Sequence, residues 1–263
     1  MDFNLTDQVV VVTGGALGIG EAITIALANE GAIPVIVGKD LDDNLNLVAS
    51  LKAKGKKCDQ FVANLNDPKQ CKEVVTSIAQ KYNQIYGLVN NAGLNDGVGL
   101  EHGNYEDFIQ SYHANAVHYY LMAHHLLPFL KQSGGSIVNI SSKVAETGQG
   151  GTSGYAAANG ARNSMTREWA VELLPYGIRV NSVIVAECYT HMYKNWLSSL
   201  PDPEIRKKEI ESKVPLGNRM TAPAEIANMV AFLLSTVSSH TTGQLIHVDG
   251  GYVHLDRAIK GDL

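Results

Sequence analysis

The chain has 263 residues and a formal net charge of −5 with no long basic run, so it lacks the electrostatic footprint of a nucleic-acid binder. Apolar residues at 45% and charged residues at 18% suit a globular chain with a large core, and no apolar run approaches the ~18 to 20 residues that cross a bilayer. Cys58, Cys71 and Cys188 are odd in number and match no metal spacing, which reads as reduced thiols in a cytoplasmic protein. The opening "MDFNLTDQ" is polar and acidic, unlike a signal peptide.

Taken in order, the pattern alternates. "VVVVT" at 9–13 is a β-branched run that ends in glycines, and "EAITIALANEG" after it has helical spacing and stops at Gly31. "IPVIVG" at 33–38 predicts a second strand, with Pro34 near its start, where proline is tolerated. "LNLVASLKAKG" reads as a helix, "CDQFVAN" as a strand, "KEVVTSIAQKY" as a helix and "IYGLVNNAG" as a fourth strand. Residues 105–131 predict one long helix, broken or bent near Pro128. "GSIVNISS" is a fifth strand, 154–175 a helix and "IRVNSVIVA" a sixth strand. Residues 190–220 are polar and predict short helices, Pro223 starts another helix, and "GQLIHVDGG" is a seventh strand. Strands separated by helical patterns predict an α/β fold. We expect a single doubly wound domain over 1–263 with a seven-stranded, mainly parallel sheet and a substrate-loop region at about 186–220.

"TGGALGIG" at 13–20 lies between the first strand and the first helix. Gly14, Gly18 and Gly20 permit a tight turn and a close backbone approach to a pyrophosphate, which the helix amides and dipole would hold. A plain glycine turn is the alternative for the motif alone; its strand–loop–helix context favours the phosphate role. The second strand ends at Gly38, followed by Lys39 and Asp40. Gly38 removes the carboxylate that would repel a 2′-phosphate and Lys39 can attract one, which tilts the reading toward NADP over NAD. Asp40 argues the other way, since it lies about 20 residues after the glycine loop, at a ribose-ligand spacing.

Together these stretches resemble the short-chain dehydrogenases/reductases over nearly the whole chain. The matching pieces are "TGGALGIG", "NNAG" at 90–93, Asn115, "NISS" at 139–142, Tyr155, "IRVNSV" at 178–183, "PLGNRMTAPAEIA" at 215–227 and "TTGQLIHVDGGY" at 241–252. "TGQGGTSGY" at 147–155 and "VDGGYVHLDRA" at 248–258 are similar to sugar-oxidising members, L-fucose dehydrogenases above all. The resemblance implies a Rossmann-type domain, a homotetramer, and hydride exchange between NAD(P) and an alcohol or carbonyl. It implies that Ser142 orients the substrate, that Tyr155 is the general acid/base and that Asn115 supports a proton-relay water. Gly14, Leu17, Gly18, Ile19, Gly20, Lys39, Asn64, Leu65, Asn91, Ala92, Gly93, Cys188 and Thr190 would contact the cofactor.

The resemblance requires a lysine at position 159, and the chain has Asn159. A free tyrosine, with a pKa near 10, is a poor base at neutral pH. A cation ~4 to 5 Å away at an effective dielectric of ~20 contributes roughly 3 to 4 kcal/mol to its ionised form. Asn159 can donate to a ribose hydroxyl but supplies no charge, so turnover is expected to fall about 100- to 10,000-fold. Two other cations are candidates. Lys143 adjoins Ser142 but points to the opposite face of an extended strand. Arg162 lies seven residues beyond Tyr155 on roughly the same helix face, and otherwise reads as a surface or interface charge. Two further departures, Asn64 for the usual aspartate and Val185 for a proline, touch the cofactor side.

Glu187, His191, Tyr193 and Trp196 follow the sixth strand, on the edge where parallel sheets bind ligands. With Gln149 and His254 they form a candidate sugar site of carboxylate and aromatic groups. His113, His118, His124 and His125 crowd one helix without an i, i+4 pair, so we expect no metal. Two functions remain open: a dehydrogenase of a sugar or polyol-like alcohol, or a catalytically inactive member that binds nucleotide or serves as a scaffold. A small-molecule substrate is expected, with no nucleic-acid or membrane partner.

Overall fold

A computed structural model describes residues 2–256. The chain order is β1 (Val9–Thr13), α1 (Gly18–Asn29), β2 (Ile33–Gly38), α2 (Leu41–Ala53), β3 (Asp59–Val62), α3 (Pro68–Lys81) and β4 (Gly87–Asn90). Then come α4 (Tyr105–Tyr112), a π turn (His113–Val117), α5 (His118–Ser133), β5 (Ser136–Ser142), α6 (Val144–Thr147) and α7 (Ser153–Glu172). The order closes with β6 (Arg179–Val185), α8 (His191–Ser198), α9 (Pro203–Glu211), α10 (Pro223–Leu234) and β7 (Leu245–Val248). The seven strands run in the order β3-β2-β1-β4-β5-β6-β7, and every pairing is parallel.

Strict alternation within β1 divides the core between the two faces of the sheet. Val9 and Val11 pack with Val74, Ile78, Leu126 and Trp169 of α3, α5 and α7. Val10 and Val12 pack with Ile23, Leu27, Ile226 and Val230 of α1 and α10. Burial on both faces is why the strands are continuous apolar runs rather than half-polar ones. The strand order reverses between β1 and β4, and the crevice beyond their carboxyl ends is where open parallel sheets bind ligands.

The helix expected over 105–131 is interrupted, but not at Pro128. That proline sits inside α5, and the break is the π turn at His113–Val117. A π turn adds a residue to the helical ladder and redirects backbone carbonyls, an insertion that occurs mostly at functional sites. Among the described residues no helix is long and apolar enough to cross a membrane.

The three cysteines are buried and unpaired, one in each apolar cluster. Burial pushes the thiols of Cys58 and Cys188 up to about 12 and that of Cys71 up to about 11. The native protein should therefore resist a thiol reagent at about pH 8, with all three groups reacting after denaturation; rapid native labelling of even one would contradict this packing. At the head of α7, Gly154 lets the helix approach α4, since a Cβ there would lie 2.6 Å from Ser111 Oγ. Gly154→Val should lower the unfolding free energy by about 1 to 3 kcal/mol in urea titration through overpacking.

Candidate active site

The loop after β1 and the loop after β4 are laced together. Asn91 Nδ2 donates to the carbonyls of Thr13 at 3.0 Å and Gly14 at 3.2 Å, while the amides of Asn91 and Ala92 donate to Thr13 Oγ1. Gly14 and Gly18 have φ near +60°, a conformation that favours glycine. A Cβ on Gly20 would lie 2.0 Å from the Gly14 carbonyl oxygen, so the third glycine is required by space rather than dihedral. Leu17 is the N-cap of α1 and offers no side-chain acceptor, leaving the first helical amides for an anion. Thr190, on the loop after β6, lies 3.4 Å from the position of a Gly18 Cβ, so two predicted cofactor loops meet here.

At the tip of β2, Lys39 and Asp40 have different surroundings. The Asp40 carboxylate caps α2, accepting from the amides of Asp42 and Asp43 at 3.1 and 3.2 Å. A helix cap accounts for this aspartate without a ribose. Gly38 packs on buried Asn44, whose Nδ2 donates to the Gly38 carbonyl, and a Cβ at position 38 would lie 2.9 Å from Asn44 Oδ1. Lys39 is exposed at this tip. Asn64 is exposed and folds its side chain onto the Asn66 amide, whereas the Leu65 side chain enters the core.

Tyr155 stands half-buried in the first turn of α7, and its hydroxyl has no hydrogen-bond partner among the described residues. Ser142 ends β5, where its Oγ accepts weakly from the Val144 amide at 3.4 Å. β5 and α7 pack together, and a buried ladder ties them to β4. Asn90 Nδ2 donates to Asn139 Oδ1, Asn139 Nδ2 to Thr166 Oγ1, and Thr166 Oγ1 to the Arg162 carbonyl.

Asn159 does not face the cleft. It is fully buried, with Nδ2 donating to the Tyr155 carbonyl at 2.9 Å and Oδ1 accepting from Arg162 Nη1 at 3.0 Å. Both amide ends thus have partners inside α7 and its packing face. The expectation for Arg162 is corrected, because it is buried at 3% exposure rather than on the surface. Its Nε donates to the Asn115 carbonyl at 2.6 Å, Nη1 to the Ile140 carbonyl at 3.2 Å and Nη2 to Asn115 Oδ1 at 3.3 Å. The guanidinium carbon lies 4.3 Å from the Tyr119 ring centroid and 5.9 Å from that of Tyr155. Asn115 thus holds Arg162 with its carbonyl and the Leu94 amide with its Oδ1. Gly93 leaves room for the guanidinium, since a Cβ there would lie 2.6 Å from Nη2.

Lys143 pairs instead with Glu187 and lies 3.9 Å from the Tyr252 ring. Glu187 also accepts from the Tyr193 hydroxyl at 2.6 Å, so both its oxygens are engaged. Burial, followed by this carboxylate, raises Tyr193 above the ordinary tyrosine range. Of the predicted sugar contacts, Trp196 is half-exposed with its edge against Tyr193, His191 is exposed beside Asn195, and Gln149 is exposed on the α6–α7 loop. His254 meets His247 edge to face, His247 bonds Glu146, and these three bring ligand atoms within 4.8 Å of one another. The end of the sugar-like tail, residues 257 and 258, lies outside the described residues. Buried Tyr119 is missing from the predicted site, although its four-residue spacing from Asn115 is a signal for it, and His118, read only as one of four helix histidines, is buried beside it.

Comparison with known proteins agrees with this arrangement. The family model described as enoyl-(acyl carrier protein) reductase matches residues 14–253. The 3-oxoacyl-[acyl-carrier-protein] reductase FabG of Thermotoga maritima is 39% identical over 251 residues, covering 95% of this chain and 99% of that one. The L-fucose dehydrogenase of Bos taurus is 31% identical, covering 93% and 88%. The crystal structure of Cj0485 dehydrogenase superimposes with a TM-score of 0.94 at 42% identity over the whole of both chains. The glycine loop at the strand reversal, the tyrosine above β5 and these matches lead to one conclusion: the chain belongs to the short-chain dehydrogenase/reductase family of NAD(P)-dependent oxidoreductases.

Proposed function

We propose that the protein is an NADP-preferring dehydrogenase that oxidises an alcohol group of a sugar or polyol, with L-fucose as the leading candidate. The observation that carries this reading is the junction of the β1, β4 and β6 loops at the strand reversal. There the space that Cβ atoms on Gly14, Gly18 and Gly20 would take borders Ala92, Thr190 and the loop backbone. That cradle fits a dinucleotide: α1 amides and the glycine backbone for the pyrophosphate, Lys39 for a 2′-phosphate, Asn64 and Leu65 beside the adenine, and Asn91 to Gly93, Cys188 and Thr190 beside the nicotinamide. Bound there, NADP supplies the acceptor for the hydride that leaves the alcohol carbon. Ser142 donates a hydrogen bond to the substrate oxygen, and Tyr155 takes the hydroxyl proton as that oxygen becomes a carbonyl.

The blocked carboxylate position at Gly38 and exposed Lys39 support NADP. The resemblance to L-fucose dehydrogenase supports a sugar, with Trp196, His191 and Gln149 as candidate contacts and Glu187 positioning Tyr193 and Lys143. Exposed Tyr105, Phe108 and Tyr120 on α4 and α5 support a homotetramer packed through these helices. The buried, unpaired thiols support a reducing, cytoplasmic setting.

Calorimetry should show the protein binding NADP more tightly than NAD. Lys39→Ala should weaken NADP about tenfold, roughly 1.4 kcal/mol, with little change for NAD; failure of either dinucleotide to bind would refute the reading. In assays of nicotinamide reduction over a panel of sugars and polyols, Tyr155→Phe should lose at least about 100-fold in kcat.

A further inference from the structure

We propose that Arg162 is the positive charge that stabilises the anionic form of Tyr155 during proton exchange, replacing a cation at position 159. Resting on the reading of Tyr155 as the proton-exchanging group, this makes Arg162 a positioning residue that acts through the tyrosine.

Arg162 is a buried cation with no carboxylate. Each hydrogen bond of its guanidinium goes to a neutral oxygen, from Asn115, Ile140 or Asn159. Taking a charge out of water without an anion is costly, and neutral acceptors offset only part of that cost. The Lys143 charge, by contrast, is matched by Glu187 and is not available to the tyrosine. A pocket that retains an unmatched cation beside a tyrosine is complementary to the negative charge that tyrosine carries after giving up its proton.

The other groups facing this pair do not supply the charge. From the π turn and α5 come Asn115, His118 and Tyr119. Burial first, and the Arg162 guanidinium second, push His118 down to about 3, so its imidazole is neutral near neutral pH. Burial raises Tyr119 above the ordinary range, so it stays a neutral phenol and donates to the Ile140 carbonyl. From β5 come the Ile140 carbonyl, Ser141 and Ser142, and from α7 comes Asn159, all uncharged. Asn159 is the partner this arrangement needs: its Oδ1 accepts from Nη1, whereas a lysine there would set a second cation against the guanidinium.

The test is a spectrophotometric pH titration of the protein and its variants without substrate. The phenolate absorbance of each protein minus that of the same protein carrying Tyr155→Phe isolates the Tyr155 transition. With the guanidinium carbon 5.9 Å from the Tyr155 ring centroid, loss of the charge should move that transition up by about one to two pH units in Arg162→Met. Arg162→Lys should retain most of the wild-type position. Coincident transitions in wild type and folded Arg162→Met overturn the proposal. Because Arg162→Met removes a donor from four oxygens, Asn159→Lys/Arg162→Met is titrated beside it. The relocated cation should hold the transition within about one unit of wild type, and a larger upward shift overturns the proposal. Dinucleotide reduction is measured separately: loss of binding or turnover in wild type sinks the dehydrogenase reading, while the titration judges Arg162 alone.

Discussion

The Arg162 guanidinium is the constraint around which the site is organised. It joins the π turn through Asn115, β5 through the Ile140 carbonyl and α7 through Asn159, three elements that are distant in sequence. Each partner needs its neighbours. The π turn presents the Asn115 carbonyl, Gly93 leaves the volume, and Asn159 offers an acceptor where a cation would repel. Removing any one leaves a buried polar group unmatched, which costs more than the bond itself contributes. The Tyr155 ring lies beside this network, so the position of its phenol depends on it.

A second constraint is the strand order. Because the sheet reverses between β1 and β4, the loops leaving those strands diverge and open a crevice, which the Asn91 and Thr13 hydrogen bonds then fix in width. The glycines at 14, 18 and 20 are required by dihedral angles and by contacts with the neighbouring loops, the same features that admit a phosphate. At the far end, Asp40 spends its carboxylate on capping α2 and Asn44 fills the space beside Gly38. Lys39 is left exposed between them.

How much was legible in advance follows from the range of the forces involved. The β-branched runs became strands at nearly the expected positions, because burial on both sheet faces demands that composition. The helix break was misplaced onto Pro128, since proline is the only local signal in that stretch; the π turn answers packing against α7, which local sequence does not encode. Glu187 reads as a sugar ligand because it follows a strand end, a local signal; its partners Lys143 and Tyr193, 44 residues before and 6 after it, are tertiary contacts that this signal does not carry.

Position 159 separates the two kinds of information most clearly. By itself the sequence determined the family, the glycine loop between β1 and α1, the tyrosine and the absence of a lysine one turn beyond it, because these are matters of residue type and short-range spacing. It could not determine where a charge seven residues from Tyr155 would lie, since an arginine side chain can reach solvent or core from the same helix face. Only the tertiary structure decided that. The close approach of α7 to β5 and the π turn excludes water from Arg162 and sets its guanidinium beside two tyrosine rings, with Asn159 as one of its acceptors.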